Sequence, residues 1–425
     1  MRFLRGIKVL ASILLIFTVL FNASTAEATL NFSGIDYVQP ENASISFGGN
    51  LWHDNFTKGT AIFPLVEQWT TNVGSAAEAQ PIIIDDIVYV LGDKKIQALK
   101  KETGERLGQI QIQSTHNISS SNLFAVKNSE TEYQLIIPSN EGFVRSIKAI
   151  ANKVDIDGSR KETRSVSMSI DWSWNINNIS NEKVKHSKMV TNDVTILKDR
   201  NLEKTYIGFG THSGNLVVLD LKSGQPIGNS NVEIEGSLGS GSGLVYNNFA
   251  TVITPINSSK GGFINGTVMN GVLQITEIGC PNFEKFDGFI GPTAYAVIEN
   301  PIYNSTTGMM LTQNKAGSIL AYDTSNKKTL FIIDKYKGYT SINGFSIAGN
   351  HILATVSNET SSKVMVINYK DAIIEGQNAN NRRANNSIVF EEDFSASNYN
   401  SALALSAAEQ KTDDFGNIQE TVYRE

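Results

Sequence analysis

Runs of neighbouring carboxylates are the residues of this sequence that come closest to metal chemistry. Asp155-Ile156-Asp157-Gly158-Ser159 superficially resembles a calcium loop, because hard cations favour clustered carboxylate oxygens. The helix–loop–helix form of that loop needs Gly at its sixth position and Glu at its twelfth, where this chain has Arg160 and Val166. We therefore predict a solvated hairpin turn here and no metal site.

Two further acidic runs could serve acid–base catalysis. Asp85-Asp86 lies between two apolar strands, so we predict a hairpin turn in which Asp accepts hydrogen bonds from local backbone groups. Glu391-Glu392-Asp393 is interpreted as a solvated charge cluster in a polar tail. A glycosidase needs two carboxyl groups that converge across a cleft, and sequence spacing does not establish convergence. A glycan-processing enzyme therefore stays open as an alternative.

The histidine, cysteine, serine and glycine patterns do not form a known catalytic or cofactor motif. The five histidines are never within five residues of one another or of Cys280, as zinc ligands usually are. They are His53, His116, His186, His212 and His351. The run 236–243 (GSLGSGSG) lacks the Lys-Ser/Thr ending of a phosphate loop, and no Gly-x-Ser-x-Gly elbow occurs. We predict no catalytic residue, no metal ligand and no cofactor, and leave cofactor-binding residues unassigned.

The composition excludes several classes of protein. The chain has 425 residues, a formal charge of −6 and only 18% charged residues, while 40% are hydrophobic and can form a core. Nucleic-acid binding proteins use clustered Lys and Arg to displace counterions from phosphates, and no such cluster occurs here. The sequence predicts a folded chain with no nucleic-acid partner, and its length fits several domains or one large repeat-built body.

The N-terminus has the pattern of an export signal. Arg2, Arg5 and Lys8 precede the apolar run 9–21, and small residues follow up to Ala28. As a helix this run would span about 20 Å, short of the roughly 30 Å of a bilayer core, so a retained anchor is the weaker interpretation. We predict a signal peptide over 1–28 and no membrane span after its cleavage. A single cysteine excludes an intrachain disulfide. The absence of disulfides in an exported protein is more typical of bacterial than of animal secretion.

Repeated strand-and-turn patterns organise the middle of the chain. The segment from Pro81 (PIIIDDIVYVLGDKKIQALKKETGE) has three short apolar strands joined by tight turns, and the pattern returns from Thr205 and Gly308. Weaker copies begin at Tyr133, Ala250 and Asn350. Six units at intervals mostly in the forties are the signature of a β-propeller, whose four-stranded blades surround a channel. Runs such as 216–219 (LVVL) favour this fold over a sandwich, because both faces of each sheet must be covered.

The turns of these units carry a resemblance to a known family. The segments 98–105 (ALKKETGE) and 218–224 (VLDLKSG) resemble the quinoprotein-type propeller repeat, Ala-x-Asp-x-x-Thr/Ser-Gly followed by a docking Trp. Four positions after the Gly, this chain has Gly108 and Gly228 in place of Trp, and the third copy replaces Thr-Gly with Asn326-Lys327. We therefore predict that the docking contact between blades is degenerate. Trp69, Trp172 and Trp174 are similar to the outer-strand aromatics that precede a family blade.

The resemblance implies an all-β fold of six to eight four-stranded blades but does not decide between functions. The family includes alcohol and sugar dehydrogenases that hold a quinone and calcium, as well as non-enzymatic envelope scaffolds, and the Cys pair of many of its enzymes is missing here. We expect a secreted or cell-wall-associated bacterial propeller that binds protein or carbohydrate through its loop rims, and we favour a non-catalytic role over an enzymatic one. A quinone-dependent dehydrogenase or a glycan-processing enzyme on the same propeller frame remains the alternative.

The loops and chain ends complete these predictions. Polar rim loops are expected at 114–121, 155–164, 178–188 and 257–266. The predicted domains are a lead-in segment over 29–67, the propeller over 68–375, and a polar linker and tail over 376–425, with a partial blade in the tail as the alternative. A short helix is expected at 402–409, and Ile388-Val389-Phe390 is a strand candidate within the tail.

Overall fold

A computed structural model describes the chain between residues 67 and 394, with internal gaps, and four short strands outside that range. The gaps are 75–80, 93, 113–122, 140–141, 157, 159–160, 177–193, 200, 203, 211–214, 228–231, 234–236, 239–243, 247–250, 258–262, 279–293, 314–316, 337, 340 and 359–360. The outlying strands form two hairpins: β1 (Leu30–Phe32) with β2 (Ile35–Tyr37), and β28 (Glu409–Thr412) with β29 (Ile418–Val422).

Six antiparallel sheets follow one another along the chain. The first contains β3 (Ile82–Ile84), β4 (Ile87–Gly92), β5 (Lys95–Lys100) and β6 (Arg106–Gln111). The second contains β7 (Phe124–Lys127), β8 (Glu132–Pro138), β9 (Phe143–Asp155) and β10 (Lys161–Asn175). The third contains β11 (Thr195–Lys198), β12 (Thr205–Gly210), β13 (Asn215–Asp220) and β14 (Val232–Glu233).

Of the last three sheets, the fourth has five strands, and the fifth and sixth have four strands each. The fourth contains β15 (Ser237–Leu238), β16 (Leu244–Tyr246), β17 (Thr251–Asn257), β18 (Phe263–Met269) and β19 (Val272–Ile278), with β15 and β16 both paired to β17. The fifth contains β20 (Ala294–Asn300), β21 (Ser305–Gln313), β22 (Ile319–Asp323) and β23 (Lys328–Ile333). The sixth contains β24 (Ser341–Ala348), β25 (His351–Ser357), β26 (Ser362–Asn368) and β27 (Ile388–Phe394). In each four-stranded sheet the strands pair in chain order, so each sheet is a meander.

Both faces of the third sheet are buried, as its continuous apolar runs predict. Val217 and Leu219 of β13 belong to the same hydrophobic cluster as residues of the first and second sheets. Leu216 and Val218, which alternate with them, pack with Val268 and Leu273 of the fourth sheet. Because successive side chains of a strand point to opposite faces, one short strand contributes to two cores. A second large cluster joins the fifth and sixth sheets.

Tryptophan rings dock onto two of the repeat turns. The Trp69 Nε1–H donates to the Lys101 carbonyl at 2.9 Å, and the Trp172 Nε1–H donates to the Leu221 carbonyl at 3.0 Å. A Cβ built on Gly104 would lie 2.4 Å from the Trp69 ring, and one on Gly224 would lie 2.5 Å from the Trp172 ring. The prediction of a degenerate docking contact was therefore wrong at these turns.

The spacing explains that error. Trp172 lies on β10, beyond the long β9–β10 hairpin, so the spacing of the family motif does not identify it. Trp69 lies in the segment before the first sheet. In the third copy, Lys327 takes the position of the glycine with a φ of 54°. Gly228 lies outside the described residues.

Carboxylates in the first turn of a sheet, between its first and second strands, bind the next sheet. Asp86 accepts from both the backbone N–H and the hydroxyl of Thr163 on β10, each at 2.8 Å. Asp85 accepts from the Tyr133 hydroxyl at 2.5 Å and from Lys153 Nζ at 2.9 Å, and Lys127 Nζ lies 3.0 Å away. The hairpin turn predicted for this pair is confirmed. The carboxylates, however, bond across to the second sheet and not to local backbone donors.

Asp199 repeats this arrangement between the third and fourth sheets. Its carboxylate accepts from the backbone N–H groups of Asn270 at 3.2 Å and Gly271 at 2.6 Å, in the turn between β18 and β19. It also accepts from Asn201 and Leu202 in its own turn. The Asn270-Gly271 pair has φ values of 54° and 72°, as a two-residue type I′ hairpin requires. The tight turn places both N–H groups in reach of the carboxylate.

The sixth sheet holds the fifth through a helical connection that the sequence interpretation missed. Helix α1 (Tyr369–Asn378) begins after the N-cap Asn368 and packs against β23, where a Cβ on Gly376 would lie 2.5 Å from the Leu330 carbonyl oxygen. Residues 382 and 384 then exchange backbone hydrogen bonds with Ile332.

This connection changes the interpretation of the chain beyond residue 375. The segment 376–387, expected to be a linker, is part of the sixth sheet's connection, and the strand candidate 388–390 lies in β27. The helix expected at 402–408 lies outside the described residues, and Glu409 begins β28. No helical segment of the described chain has the length and apolar character of a membrane span.

The Asp85 cluster predicts a stability that falls at both pH extremes. Burial alone would raise the pKa of Asp85, but hydrogen bonds from Tyr133, Lys153 and Lys127 outweigh it and hold the pKa below its usual value. Burial, and then the hydrogen bond to Asp85, raises the pKa of Tyr133; burial and the Asp85 and Asp86 charges raise that of Tyr89. The Asp85 contribution is complete above its unfolded pKa of about 4 and is lost as the pH falls through the folded value.

The tyrosine contribution has the opposite sign. It is present below the unfolded pKa of about 10 and is lost as the pH rises above it, because the folded state retains protons that the unfolded state releases. The free energy of unfolding, measured with denaturant across the pH range, should therefore fall less steeply toward acid pH in Asp85→Asn than in the wild type. An equally steep fall in that variant would contradict the assignment.

Candidate functional site: a cleft between the second and third sheets

A polar cleft of about 840 Å³ lies where the second sheet meets the third. Its walls come from the turn and strands of β7–β10 on one side and from the turns beside β12 and β13 on the other. The lining residues are Asn128, Glu132, Gln134, Lys148, Asp171, Lys204, Thr205, Asp220, Leu221, Lys222 and Ser223. Because most of these side chains carry a charge or a hydrogen-bonding group, the cleft offers partners to a polar ligand.

The second-sheet wall is organised by one ion pair and one buried amide. Lys148 Nζ lies 2.8 Å from Glu132 Oε2, and this hydrogen bond lowers the pKa of Glu132 and raises that of Lys148. Gln134 is buried, and its Nε2 donates to Ser146 Oγ and to the Leu221 carbonyl, both at 2.8 Å. The amide therefore ties the wall to the third sheet at the base of the cleft.

The third-sheet wall is a turn that satisfies its own backbone donors. Asp220 Oδ1 accepts from the Lys222 N–H at 3.0 Å, the Ser223 N–H at 2.8 Å and the Ser223 hydroxyl at 2.9 Å. This pattern is the Asx turn that short acidic side chains form with backbone groups two and three residues on. The exposed side chain of Lys222 thus stands on a fixed backbone, and the carbonyl of Lys204, also exposed, accepts from the Asp199 N–H at 2.9 Å.

Among the described residues, no carboxylate reaches across the cleft from one sheet to the other. At the neighbouring seams, Asp86 and Asp199 reach from the first turn of one sheet to the next sheet. The first turn of the second sheet has Asn128 instead, whose Nδ2 donates within its own sheet to Glu132 at 3.3 Å. The opposite turn is already capped by Asp220. Gln134, the Trp172 docking contact and a shared hydrophobic cluster hold the two sheets together beside the cleft.

The polar rim loops predicted from the sequence are described only in part, and none of their described residues lines the cleft. The loops 114–121 and 178–188 lie outside the described residues. Of the fourth predicted loop, only residue 257 and residues 263–266 are described. The 155–164 segment is a hairpin turn as predicted, with the Gly158 N–H donating to Asp155 Oδ1 at 3.0 Å. His351 is the one histidine in the described part of the chain.

The residues that form the cleft were not predicted as site residues. Gln134 and Lys148 lie inside strands, and Lys204 and Lys222 lie in turns whose polar residues are ordinary. One signal was available: the first turns of the first and third sheets carry Asp86 and Asp199, and the corresponding turn of the second sheet has no Asp.

Comparisons with known proteins address the fold. No protein-family model matches the sequence, and a search of curated proteins gave no match. A quinohemoprotein alcohol dehydrogenase from Pseudomonas putida HK5 is similar with a TM-score of 0.56 and 10% identity, over 89% of this chain and 70% of that chain. The quinohemoprotein alcohol dehydrogenase from Comamonas testosteroni gives 0.55 and 10%, over 91% and 72%. The fold is a quinoprotein-like β-propeller.

A third structure extends the same likeness. A europium-containing methanol dehydrogenase is similar with a TM-score of 0.53 and 8% identity, over 91% of this chain and 86% of that chain. The all-β propeller fold predicted from the repeats is therefore confirmed, and the described residues contain six sheets of four or five strands and two separate hairpins. At these identities the likeness concerns the fold alone, because one propeller frame carries many functions.

The described residues do not fit the metal that accompanies a quinone in such enzymes. No group of three or more His, Cys, Asp and Glu side chains in this part of the chain is placed to hold a metal ion. The acidic residues that do cluster, Asp85 and Asp86, are committed to Tyr133, Lys153 and Thr163.

Proposed function

We propose that the protein is a non-catalytic binding or scaffold module of the bacterial cell surface, which engages protein or carbohydrate at the cleft between its second and third sheets. The observation that carries this proposal is the cleft itself: about 840 Å³ lined by polar and charged side chains. A rigid sheet frame that presents polar groups in turns is the usual arrangement of a binding surface. The cell-surface location rests on the signal-peptide pattern of residues 1–28.

The walls of the cleft fit binding better than a conformational role. Gln134 and Trp172 both donate to the Leu221 carbonyl, so the base of the cleft is fixed. Asp220 and the Glu132–Lys148 pair fix the two sides. Because the protein's own groups hold both walls in place, little conformational entropy would be lost when a ligand binds.

Thermal-shift and calorimetric titrations test this function. The chain from Thr29 is titrated with soluble cell-wall oligosaccharides and with short charged peptides, since a ligand that binds only the folded state raises the melting temperature. A binding ligand should lose at least about tenfold in affinity for the Lys204→Glu/Lys222→Glu variant, because two favourable charges become unfavourable. The control is Lys101→Glu, an exposed lysine in the equivalent turn of the first sheet, which should bind as the wild type does. If no probe binds, or if the double variant binds normally, the proposed function is wrong.

A further inference from the structure

The exposed charges of the cleft are divided between its two walls. Asp171 is exposed on the second-sheet wall, whereas Lys204 and Lys222 are exposed on the third-sheet wall. Glu132 pairs with Lys148, whose ammonium group also lies in the field of Asp171, and the Asp220 carboxylate caps its own turn. The second-sheet wall therefore has one more negative than positive charge, and the third-sheet wall has one more positive than negative charge. A ligand therefore meets one acidic side and one basic side.

One hydrogen-bond acceptor in the lining has no donor. The Oδ1 atom of Asn128 is buried and has no hydrogen-bond partner within the described residues. A buried polar atom left unpaired is costly, so a rotation of the Asn128 amide that brings Oδ1 to a ligand donor in the cleft would be favoured. A peptide N–H or a hydroxyl could supply it.

We propose that this cleft binds a peptide segment that carries both an acidic and a basic side chain. This inference rests on the proposed function and specifies the ligand of the same site. The acidic side chain would pair with Lys204 and Lys222, the basic side chain with Asp171, and a backbone N–H would donate to Asn128 Oδ1. An uncharged oligosaccharide could satisfy Asn128 but would leave both charged walls without a counter-charge. Exposed ion pairs contribute mainly to selectivity, so discrimination between peptides is the informative measurement.

The test compares labelled peptides of equal length in fluorescence anisotropy at low salt. One peptide alternates Lys and Glu, one contains only Lys and one only Glu as charged residues, and a neutral chito-oligosaccharide competes as the carbohydrate probe. The mixed peptide should bind the full-length secreted chain about tenfold more tightly than either single-charge peptide. The preference should weaken on raising the salt concentration, because exposed charges are screened.

A charge reversal gives a sharper readout. Asp171→Lys makes both walls basic, so the all-Glu peptide should now bind more tightly than the mixed peptide. Asp171 is exposed, so the variant should keep the wild-type circular dichroism spectrum and melting temperature. Lys101→Glu should keep the wild-type order of peptides.

The outcomes distinguish a failure of this inference from a failure of the proposed function. If the oligosaccharide alone binds, and does so less tightly to Lys204→Glu/Lys222→Glu, the peptide inference is wrong and the binding function stands. Equal affinity for all three peptides, or an unchanged preference in Asp171→Lys, also overturns the inference. If none of the four probes binds, both proposals fail.

Discussion

Gly224→Ala should lower the free energy of unfolding by about 2–4 kcal/mol, the sum of backbone strain and overpacking. Gly224 has a φ of 67°, which L-residues rarely adopt, and its new Cβ would lie 2.5 Å from the Trp172 ring. The ring cannot simply withdraw, because its Nε1–H donates to the Leu221 carbonyl at 3.0 Å. Denaturant unfolding of the variant, followed by tryptophan fluorescence, measures the loss.

Gly158 provides the matched control for this substitution. It has a similar φ of 78°, but a Cβ there would meet nothing within 4 Å. Gly158→Ala should therefore cost only the backbone strain, about 1–2 kcal/mol. The difference between the two variants isolates the docking contact. Equal losses in both would show that the tryptophan does not pack tightly on the turn.

Asp85→Asn should destabilise the protein by about 2–4 kcal/mol, because it leaves buried ammonium groups without their counter-charge. The Lys153 side chain is only 8% exposed, and Lys127 is also partly buried beside the same carboxylate. Asparagine keeps the size of the side chain and tolerates the φ of 53° at this position, so the loss reports the charge. The free energy of unfolding at neutral pH is the measurement.

A surface ion pair serves as the comparison. Lys363 and Asp393 also form a salt bridge, but the Asp393 side chain is 70% exposed. Asp393→Asn should therefore cost less than about 1 kcal/mol. If the Asp85 and Asp393 variants lose the same free energy of unfolding, the Asp85 ion pairs stabilise the protein no more than a solvated surface pair does. The stabilising role assigned to the Asp85 contacts between the first two sheets would then be wrong.

The repeat pattern was sufficient to predict the sheets because the relevant signals are local. In the third sheet, the run 205–220 carries two apolar strands, and these become β12 and β13 with both faces buried. Tight turns such as Asn270-Gly271 fix the pairing of adjacent strands through backbone geometry alone. Such signals lie within a few residues of the structure that they determine.

The cleft could not be predicted in the same way because its walls belong to different sheets. Lys148 and Lys222 are brought to one cavity only by the packing of the second sheet on the third. The docking tryptophans illustrate the same limit, since the β9–β10 hairpin changes the spacing on which a motif search depends. Helix α1 was missed because its sequence is polar and contains Gly376, which the close approach to Leu330 requires.

The direction of the contacts between sheets has a consequence for how the chain assembles. The partners of these contacts lie later in the chain. Asp85 and Asp86 bind the second sheet, Asp199 binds the fourth, and Ile332 bonds to the connection of the sixth. Each of these contacts joins a sheet to the one made next, so none needs a distant part of the chain. We therefore expect the nascent protein to gain order in steps from its N-terminal side, with each new sheet sealing its predecessor. Hydrogen exchange on chains arrested at successive lengths would follow those steps.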